Sequence, residues 1–260
     1  MKNIFLTAIQ FLTIIPIKVS VTEESYAKSP MFFPTVGFII GVILIIFLKL
    51  FSLVFPKFLV AALILTILTF ITGGLHLDGL GDFFDAFKGG RTKEKILKIM
   101  EDPRIGVIGT IAICLILILK FTSILNILKS NKISFLILAP ALGRWAIVEL
   151  CFFSHPASET GLGAPHIEGV GLREFLFALF SINFILTFFC GLLGFLLFAF
   201  VFIFDFIFLK YCEKKISGIT GDILGAGCEL TETFAFVLGG IKFWKFSPLY
   251  HYLVEIIKII

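Results

Sequence analysis

Apolar residues dominate this chain in long runs, and polar residues gather in the short stretches between them. The runs fall at about 34–54, 58–75, 106–128, 133–154, 174–209 and 222–241. Most approach or exceed the roughly 20 residues that an α-helix needs to cross a bilayer. The fifth run is too long for one crossing, and Gly191 and Gly194 near its middle predict two helices joined by a tight turn. The pattern therefore predicts about seven transmembrane helices.

The composition supports a membrane protein. Hydrophobic residues make up 58% of the chain and charged residues only 15%, whereas soluble domains carry about 25% charged residues. The alternating segments of about ten residues that are typical of a membrane β-barrel are absent from the sequence. We therefore predict an all-α fold, a polytopic integral membrane helical bundle that forms a single domain over residues 1–260. Residues 1–17 lack a small-residue cleavage site and are interpreted as a retained interfacial or re-entrant helix.

The charges indicate how the chain is oriented in the membrane more clearly than they indicate a binding partner. The formal net charge is +4, and no basic stripe is long enough to indicate nucleic-acid binding. Lysine and arginine gather in the stretches 88–104 and 210–215, and such clusters favour the cytoplasmic side. If the spans are counted from the stretch 88–104, the loop 155–173 also falls on the cytoplasmic side of the membrane. The five cysteines are scattered, and their spacing predicts neither a disulfide framework nor a zinc site.

The first polar cluster, HLDGLGDFFD at residues 76–85, directly follows an apolar run. Asp78, Asp82 and Asp85 are spaced i, i+4 and i+7, which places them within about 60° of one another on a helix. Three carboxylates on one stripe repel one another unless a cation lies between them, and hard oxygen ligands of this kind suit Mg²⁺, Mn²⁺ or Ca²⁺. The simpler alternative is a solvated helix start, where the helix dipole favours acidic residues.

Glycines next to this cluster predict an unusual backbone. They are Gly73, Gly74, Gly79 and Gly81. Glycine adopts conformations closed to other residues and lets a ligand approach closely, so we expect irregular backbone over residues 73–81. On a regular helix His76 would lie nearly opposite Asp78, so His76 is expected to join the site only if the backbone there is unwound.

Basic residues near or inside the spans form a second group of candidates. Arg104 follows Asp102 and Pro103 at the start of a span, where it either binds phosphate or is an ordinary flanking arginine. Arg144 lies near the middle of a span, where a charge costs roughly 2.5–3.5 kcal/mol on insertion scales. It is expected to face a polar cavity, or to pair with Glu149 or with an acid on another helix.

The stretch GITGDILGAGCELTETF at residues 218–234 carries a third cluster. Asp222, Gly225, Glu229 and Glu232 are spaced by 3, 4 and 3 residues, which places them on one helical face. Acids on an intramembrane face avoid lipid, so this face is expected to point into the bundle as a second carboxylate wall across from the first. The loop 155–173 is either a substrate lid or an ordinary polar loop.

Taken together, these motifs resemble those of the cobalamin synthase family, the adenosylcobinamide-GDP ribazoletransferases. The resemblance rests on HLDGLGDFFDA at 76–86, DPRIGVIG at 102–109, GR at 143–144, TGLG at 160–163 and GITGDILGA at 218–226. The openings FLTIIPI at 11–17 and FFPTVGFIIG at 32–41 are also similar. The similarity covers most of the chain in order.

The resemblance implies a multi-pass enzyme in the plasma membrane of a prokaryote, with its active site facing the cytoplasm. Such an enzyme transfers the phosphoryl-cobinamide moiety of adenosylcobinamide-GDP to α-ribazole or α-ribazole 5′-phosphate, in the last steps of vitamin B12 biosynthesis. The 3′-hydroxyl of the ribazole attacks the β-phosphorus, GMP leaves, and adenosylcobalamin or its 5′-phosphate forms. Membrane lipid is a further expected partner, nucleic acid is not, and a homo-oligomer is left open.

The resemblance and the polar clusters together nominate the site residues. The expected cofactor is Mg²⁺, as one or two ions with Mn²⁺ as a substitute, held by Asp78, Asp82 and Asp85. The catalytic candidates are His76, Arg104, Arg144 and Asp222. The candidates for binding the substrate or cofactor are Gly79, Gly161, Gly221, Glu229 and Glu232. Phe83 and Phe84 stand where the family often has Ala or Thr, and they are expected to point away from the aspartates.

Two other functions compete with this interpretation. A CDP-alcohol phosphotransferase also uses aspartates at a helix end, but it requires a longer pattern with an arginine that this chain lacks at that place. A cation transporter would place Asp78, Arg144 and Glu229 along a pathway through the membrane midplane. That function predicts inverted repeats, and the sequence shows none.

Overall fold

The computed structural model describes residues 1–89, 91–158, 161 and 163–241. In these residues the regular structure is helical, apart from an isolated β-bridge between Pro156 and Ile219. The α-helices are α1 (Lys2–Leu12), α2 (Glu23–Ala27), α3 (Phe33–Ser52), α4 (Lys57–Ile71), α5 (Leu75–Ala86), α6 (Lys93–Met100), α7 (Val107–Lys129), α8 (Phe135–Phe153), α9 (Ala164–Gly169), α10 (Leu172–Cys190), α11 (Leu193–Ile216) and α12 (Gly221–Gly239). The predicted all-α membrane fold is confirmed, and the long 174–209 run divides at Gly191 as expected.

The number of membrane crossings is smaller than predicted. Among the described residues, five helical segments are long and apolar enough to cross a membrane, namely α7, α8, α10, α11 and α3 with the 3-10 turn before it. A sixth is counted if α4 and α5, which meet at 88°, form one broken span. The predicted seven are not confirmed, because α4 has only 15 residues and α12 carries three acids. Helix α1, at about 16 Å, is too short to cross, as expected for an interfacial helix.

Helix α8 lies at the centre of the bundle. In its apolar 18-residue stretch, 94% of the residues are buried inside the structure. Helices α3, α10, α11 and α12 pack around it. Trp145 of α8 is fully buried, with its ring centroid 5.5 Å from that of Phe175 and 5.2 Å from that of Phe198. Lipid tails are as apolar as the side chains, so close packing of this kind holds membrane helices together.

A sharp bend between α4 and α5 positions the acidic motif. Gly73 and Gly74 have φ angles of 62° and 69°, in the left-handed region that glycine adopts readily. Helix α5 then continues regularly from Leu75 to Ala86. The expected irregular backbone over residues 73–81 is therefore wrong beyond Gly74, because the two glycines absorb the whole change of direction.

Arg144 and Glu149 do not pair with each other. Five residues apart on one helix, they point about 140° away from each other. The Trp145 indole donates to Glu149 over 2.9 Å, and Glu149 lies beside Asp205 of α11. The hydroxyl of Thr231 donates to Asp205. Both carboxylates are buried, and within the described part of the chain neither forms an ion pair.

This arrangement predicts that Glu149→Gln leaves the thermal stability unchanged or raises it. The glutamine carbonyl still accepts from Trp145, and the substitution removes an ionisable group that has no cation to compensate it. Glu149→Ala should cost roughly 1–3 kcal/mol, because it leaves the buried indole N–H without an acceptor. Thermal unfolding in detergent, followed by circular dichroism, measures both. If Glu149→Gln destabilised the protein as much as Glu149→Ala, the carboxylate charge itself would be needed.

Candidate active site

Two motifs far apart in the sequence line one cavity. Asp78, at the start of α5, and Asp222, at the start of α12, both face a space of about 200 Å³, which we name the carboxylate cavity. Gly79 permits this approach, since a Cβ there would lie only 2.8 Å from the carbonyl oxygen of Asp222. Gly79 and Gly221 also line the cavity. The predicted second carboxylate wall is therefore present at Asp222.

The other two aspartates of α5 are arranged differently from each other. The Asp82 carboxylate is half-buried and is repelled by the charges of Asp78, Asp85 and Asp222. One oxygen of Asp85 accepts the backbone N–H of Gly106 over 2.6 Å. Gly106 is the N-cap of α7, so Asp85 also stabilises the beginning of that helix through its dipole.

The residues at this end of the bundle fit a divalent cation. Asp78, Asp85 and Asp222 lie close enough to Asp82 to repel its charge, and no ion pair in the described residues involves any of these four carboxylates. Hard oxygen donors with uncompensated negative charge are the ligands that Mg²⁺ and Mn²⁺ prefer. The site is not preformed, since no three His, Cys, Asp or Glu side chains of the described residues are already grouped as metal ligands. The metal set of Asp78, Asp82 and Asp85 stays a prediction.

Phe83 and Phe84 point away from this cluster, as expected. The ring of Phe83 packs against that of Phe208 on α11, with centroids 5.2 Å apart. Neither phenylalanine lines the carboxylate cavity. The bulky side chains between the aspartates therefore leave the acidic face of α5 open.

Part of the 155–173 loop lies over the cavity. Gly163 packs against the backbone of Gly221, and both Gly163 and His166 of α9 line the cavity. The isolated β-bridge of Pro156 with Ile219 ties the same loop to the residues just before α12. Gly161 has open space around its Cβ position, and its predicted binding role stays a prediction. Thr160 and Leu162 of the same motif lie outside the described residues.

Burial of His166 predicts a loss of stability in acid. This burial lowers the pKa of His166 from 6.5 to about 4. Below about pH 6.5 the unfolded chain therefore binds a proton that the folded chain does not bind until about pH 4, so stability falls with pH across this window. Between pH 7 and pH 5 the loss should be about 2 kcal/mol. Thermal unfolding at both pH values should show a smaller acid loss for His166→Gln, and an equal loss in the two proteins would contradict the assignment.

His76 lies on α5 and lines the carboxylate cavity. The helix is regular there, and the imidazole is buried with Nδ1 3.3 Å from the Sγ of Cys228 on α12. His76 still lines the cavity beside Asp78, although the sequence analysis made its presence depend on unwound backbone. The close packing of α5 against Gly225 brings it there instead.

Arg104 is not brought into the carboxylate cavity. Its guanidinium donates to the two carboxylate oxygens of Asp102 over 2.9 and 2.7 Å, and its side chain is 85% exposed. These hydrogen bonds lower the pKa of Asp102 to about 2. Helix α7 begins only at Val107, so Asp102 does not cap it. The phosphate contact of Arg104 stays a prediction.

Four buried charges form a separate cluster deeper in the bundle, which we name the ion network. Lys120 of α7 lies 2.6 Å from Glu229 and 2.5 Å from Glu232. Arg144 of α8 also pairs with Glu232, so of the alternatives left open for Arg144 the structure shows the pairing with an acid on another helix. Two positive and two negative groups balance one another. The adjoining space is about 10 Å³, which has no room for a substrate.

The ion network changes the interpretation of three predicted site residues. Arg144, Glu229 and Glu232 face the bundle interior as expected, but they do not line the carboxylate cavity. Their predicted contacts with phosphate or ligand stay predictions, and in this structure the charges bind one another. Lys120 was not among the predicted site residues, although it is a lone lysine within an apolar run. Phe11 and Phe33, which line the cavity, were not predicted either.

Comparison with known proteins assigns the family. Residues 4–240 match the model of the cobalamin-5-phosphate synthase family. The adenosylcobinamide-GDP ribazoletransferase of Alkaliphilus metalliredigens is 41% identical over 234 residues, which cover 88% of this chain and 92% of the relative. The protein of that name from Clostridioides difficile is 36% identical over 241 residues, covering 88% and 93%.

A third relative extends the match almost to the full length. The adenosylcobinamide-GDP ribazoletransferase of Thermodesulfovibrio yellowstonii is 34% identical over 257 residues, covering 94% of this chain and 99% of the relative. No solved structure matches the chain. The family model spans the helices that build the carboxylate cavity, and the chain therefore belongs to the cobalamin-5-phosphate synthase family.

Proposed function

We propose that this protein is an adenosylcobinamide-GDP ribazoletransferase that acts at the carboxylate cavity. The observation that carries the proposal is the meeting of Asp78 and Asp222 in one cavity, in a chain that belongs to the cobalamin-5-phosphate synthase family. The relatives named above carry this activity in their names. The reaction joins adenosylcobinamide-GDP to α-ribazole or its 5′-phosphate and releases GMP.

The beginnings of two helices suit the diphosphate of the donor substrate. The first turns of α5 and α12 both line the carboxylate cavity. Backbone carbonyls already accept the N–H groups of Leu75, Leu77 and Asp78, so what the beginning of α5 offers to phosphate is the positive end of the helix dipole. At about 200 Å³ the cavity is smaller than the roughly 300–1,000 Å³ of a typical ligand pocket. It therefore takes the reacting groups, and the corrin macrocycle lies outside it.

We assign the metal to the acidic face of α5. Asp78 and Asp82 would hold Mg²⁺, with Asp85 contributing the oxygen not bonded to Gly106. When bound, the cation would neutralise charge on the diphosphate and on the departing GMP. We propose that Asp222, on the opposite helix, accepts the proton of the ribazole 3′-hydroxyl as its oxygen attacks the β-phosphorus. The new O–P bond replaces the P–O bond to GMP.

The arrangement of the ion network disfavours a cation transporter. A pathway would need Asp78, Arg144 and Glu229 along one continuous space. In the structure Asp78 lines the carboxylate cavity, whereas Arg144 and Glu229 border a separate space of about 10 Å³ and take part in ion pairs.

We also propose that the cavity opens toward the cytoplasm. The last residue of α6 lies at the beginning of α12, since the Thr220 hydroxyl is 3.6 Å from the Sδ of Met100. Helix α6 and the last turn of α11, which α6 packs against, both carry lysines. Lysine and arginine are enriched in cytoplasmic loops. The same end of the bundle therefore carries the acidic cavity and the basic loops.

The function is tested by incubating the purified protein in detergent with adenosylcobinamide-GDP, α-ribazole and Mg²⁺. We expect GMP and adenosylcobalamin to appear in equal amounts, and neither to appear when α-ribazole is omitted. Replacement of Mg²⁺ by excess EDTA should stop the reaction, and Mn²⁺ should restore it. Absence of GMP release under all of these conditions would overturn the proposed function. Equal activity with and without EDTA would show that the reaction does not need the metal.

A further inference from the structure

Part of the carboxylate cavity is lined by aromatic rings. Phe11 of α1, Phe33 of α3 and His166 of α9 all line it, and we name these three the aromatic wall. The ring centroid of His166 lies 4.6 Å from that of Phe11 and 5.6 Å from that of Phe33. The two phenylalanine rings stack with centroids 5.8 Å apart. Tyr26 lies against His166, with ring centroids 4.1 Å apart.

A hydrogen-bond chain fixes the orientation of His166. The hydroxyl of Ser29 donates to the backbone carbonyl of Tyr26 over 2.8 Å. Its oxygen lies 3.2 Å from Nε2 of His166, so it accepts from the Nε2–H group. The imidazole is therefore the neutral Nε2–H tautomer, in agreement with its lowered pKa. A neutral ring held in this way adds no net charge to the aromatic wall. His166 and Phe33 are buried, and Phe11 is the ring of the wall that is only partly buried.

We propose that the aromatic wall binds the benzimidazole base of the ribazole acceptor. This inference rests on the proposed function and adds which part of which substrate the wall recognises. Aromatic side chains bind a flat base by stacking, which needs no hydrogen bond to the edge of the base. The wall belongs to the same cavity as Asp78 and Asp222, so a ribose attached to the stacked base lies in the cavity that these carboxylates line.

Guanine, the other aromatic base in the reaction, fits the wall less well. Its edge carries N–H donors and a carbonyl oxygen, and burying these without partners costs binding energy. Two members of the wall are phenylalanines, and the Nε2 of His166 already donates to Ser29. A benzimidazole joined to ribose has no N–H donor and a single acceptor nitrogen, so an apolar wall leaves fewer of its polar groups unsatisfied than those of guanine.

The test separates the two substrates kinetically. In Phe11→Leu, which keeps an apolar side chain but loses the ring, we expect the KM for α-ribazole to rise about tenfold, with the KM for adenosylcobinamide-GDP within twofold of wild type. Phe5→Leu is the matched control. Phe5 lies on the same helix and contacts the ring of Phe32, but it does not line the cavity, so both KM values should stay at wild type.

A second measurement uses the wild-type protein and requires no variant to fold. Free 5,6-dimethylbenzimidazole should inhibit competitively against α-ribazole and not against adenosylcobinamide-GDP. Competition with the GDP substrate, or a rise in its KM in Phe11→Leu, would overturn the inference and assign the wall to guanine. An unchanged KM for α-ribazole in a folded Phe11→Leu would also overturn it. In each of these cases wild-type GMP release continues, so the proposed function stands; it fails only if wild type releases none.

Discussion

Replacing Asp78 or Asp82 with asparagine should lower GMP release by roughly 100- to 1,000-fold, the range seen when one electrostatic contributor to a transition state is removed. Asparagine keeps the size of the side chain and removes the charge that would hold Mg²⁺. The same change should leave thermal stability unchanged or raise it, because the carboxylate of Asp82 is repelled by those of Asp78, Asp85 and Asp222. A rate assay and thermal unfolding on the same preparation measure both effects.

The control for this prediction is Glu24→Gln. Glu24 lies on α2, its side chain is 72% exposed, and it pairs only with Lys28 among the described ion pairs. Its replacement removes one acid without touching the carboxylate cavity, so activity should stay at wild type. Near-normal turnover in both aspartate variants would remove α5 from the metal site. A fall in activity that matched a fall in stability would show a structural role instead.

Replacing Lys120 with methionine should destabilise the protein by about 3–5 kcal/mol, the cost of leaving a buried charge without its partner. The variant leaves Glu229 and Glu232 facing Arg144 alone, with an excess negative charge inside the bundle. The double variant Lys120→Met with Glu229→Gln leaves one positive group, Arg144, and one negative group, Glu232, so the charges balance again. Its stability should therefore return most of the way to that of wild type, as measured by thermal unfolding in detergent.

The double variant also distinguishes packing from catalysis. If the ion network only holds α7, α8 and α12 together, the double variant should recover activity along with stability. Recovery of stability without activity would show that Lys120 or Glu229 acts on the substrate. Equal instability of the single and double variants would contradict charge balance as the reason for the network.

Much of the fold and part of the site could be predicted from the sequence. Long apolar runs gave the positions of the helices, because a bilayer fixes both the length and the composition of a crossing segment. Asp78 and Asp222 were identified because acidic residues beside apolar runs have few structural reasons to be there. The number of crossings was overestimated, since α4 is short and continues into α5 through a bend that two glycines absorb.

Other features depend on tertiary contacts that no local pattern reveals. The chain contains 34 phenylalanines, so nothing in the sequence distinguishes Phe11 and Phe33 from those that face lipid or the core. Asp85 caps α7 only because of where the loop before α7 lies. Lys120 is different. It could have been found by the reasoning that identified Arg144, since a single charge inside an apolar run needs a buried partner.

The most direct test of a metal site on the acidic face of α5 is a titration of the purified protein with Mn²⁺, with free and bound metal distinguished by electron paramagnetic resonance. Such a site predicts saturable binding to the wild-type protein, competition by Mg²⁺, and loss of that binding in Asp82→Asn. Wild-type and Asp82→Asn proteins that bind Mn²⁺ equally, or a wild-type protein that binds none in the presence of adenosylcobinamide-GDP, would contradict a metal site on the acidic face of α5.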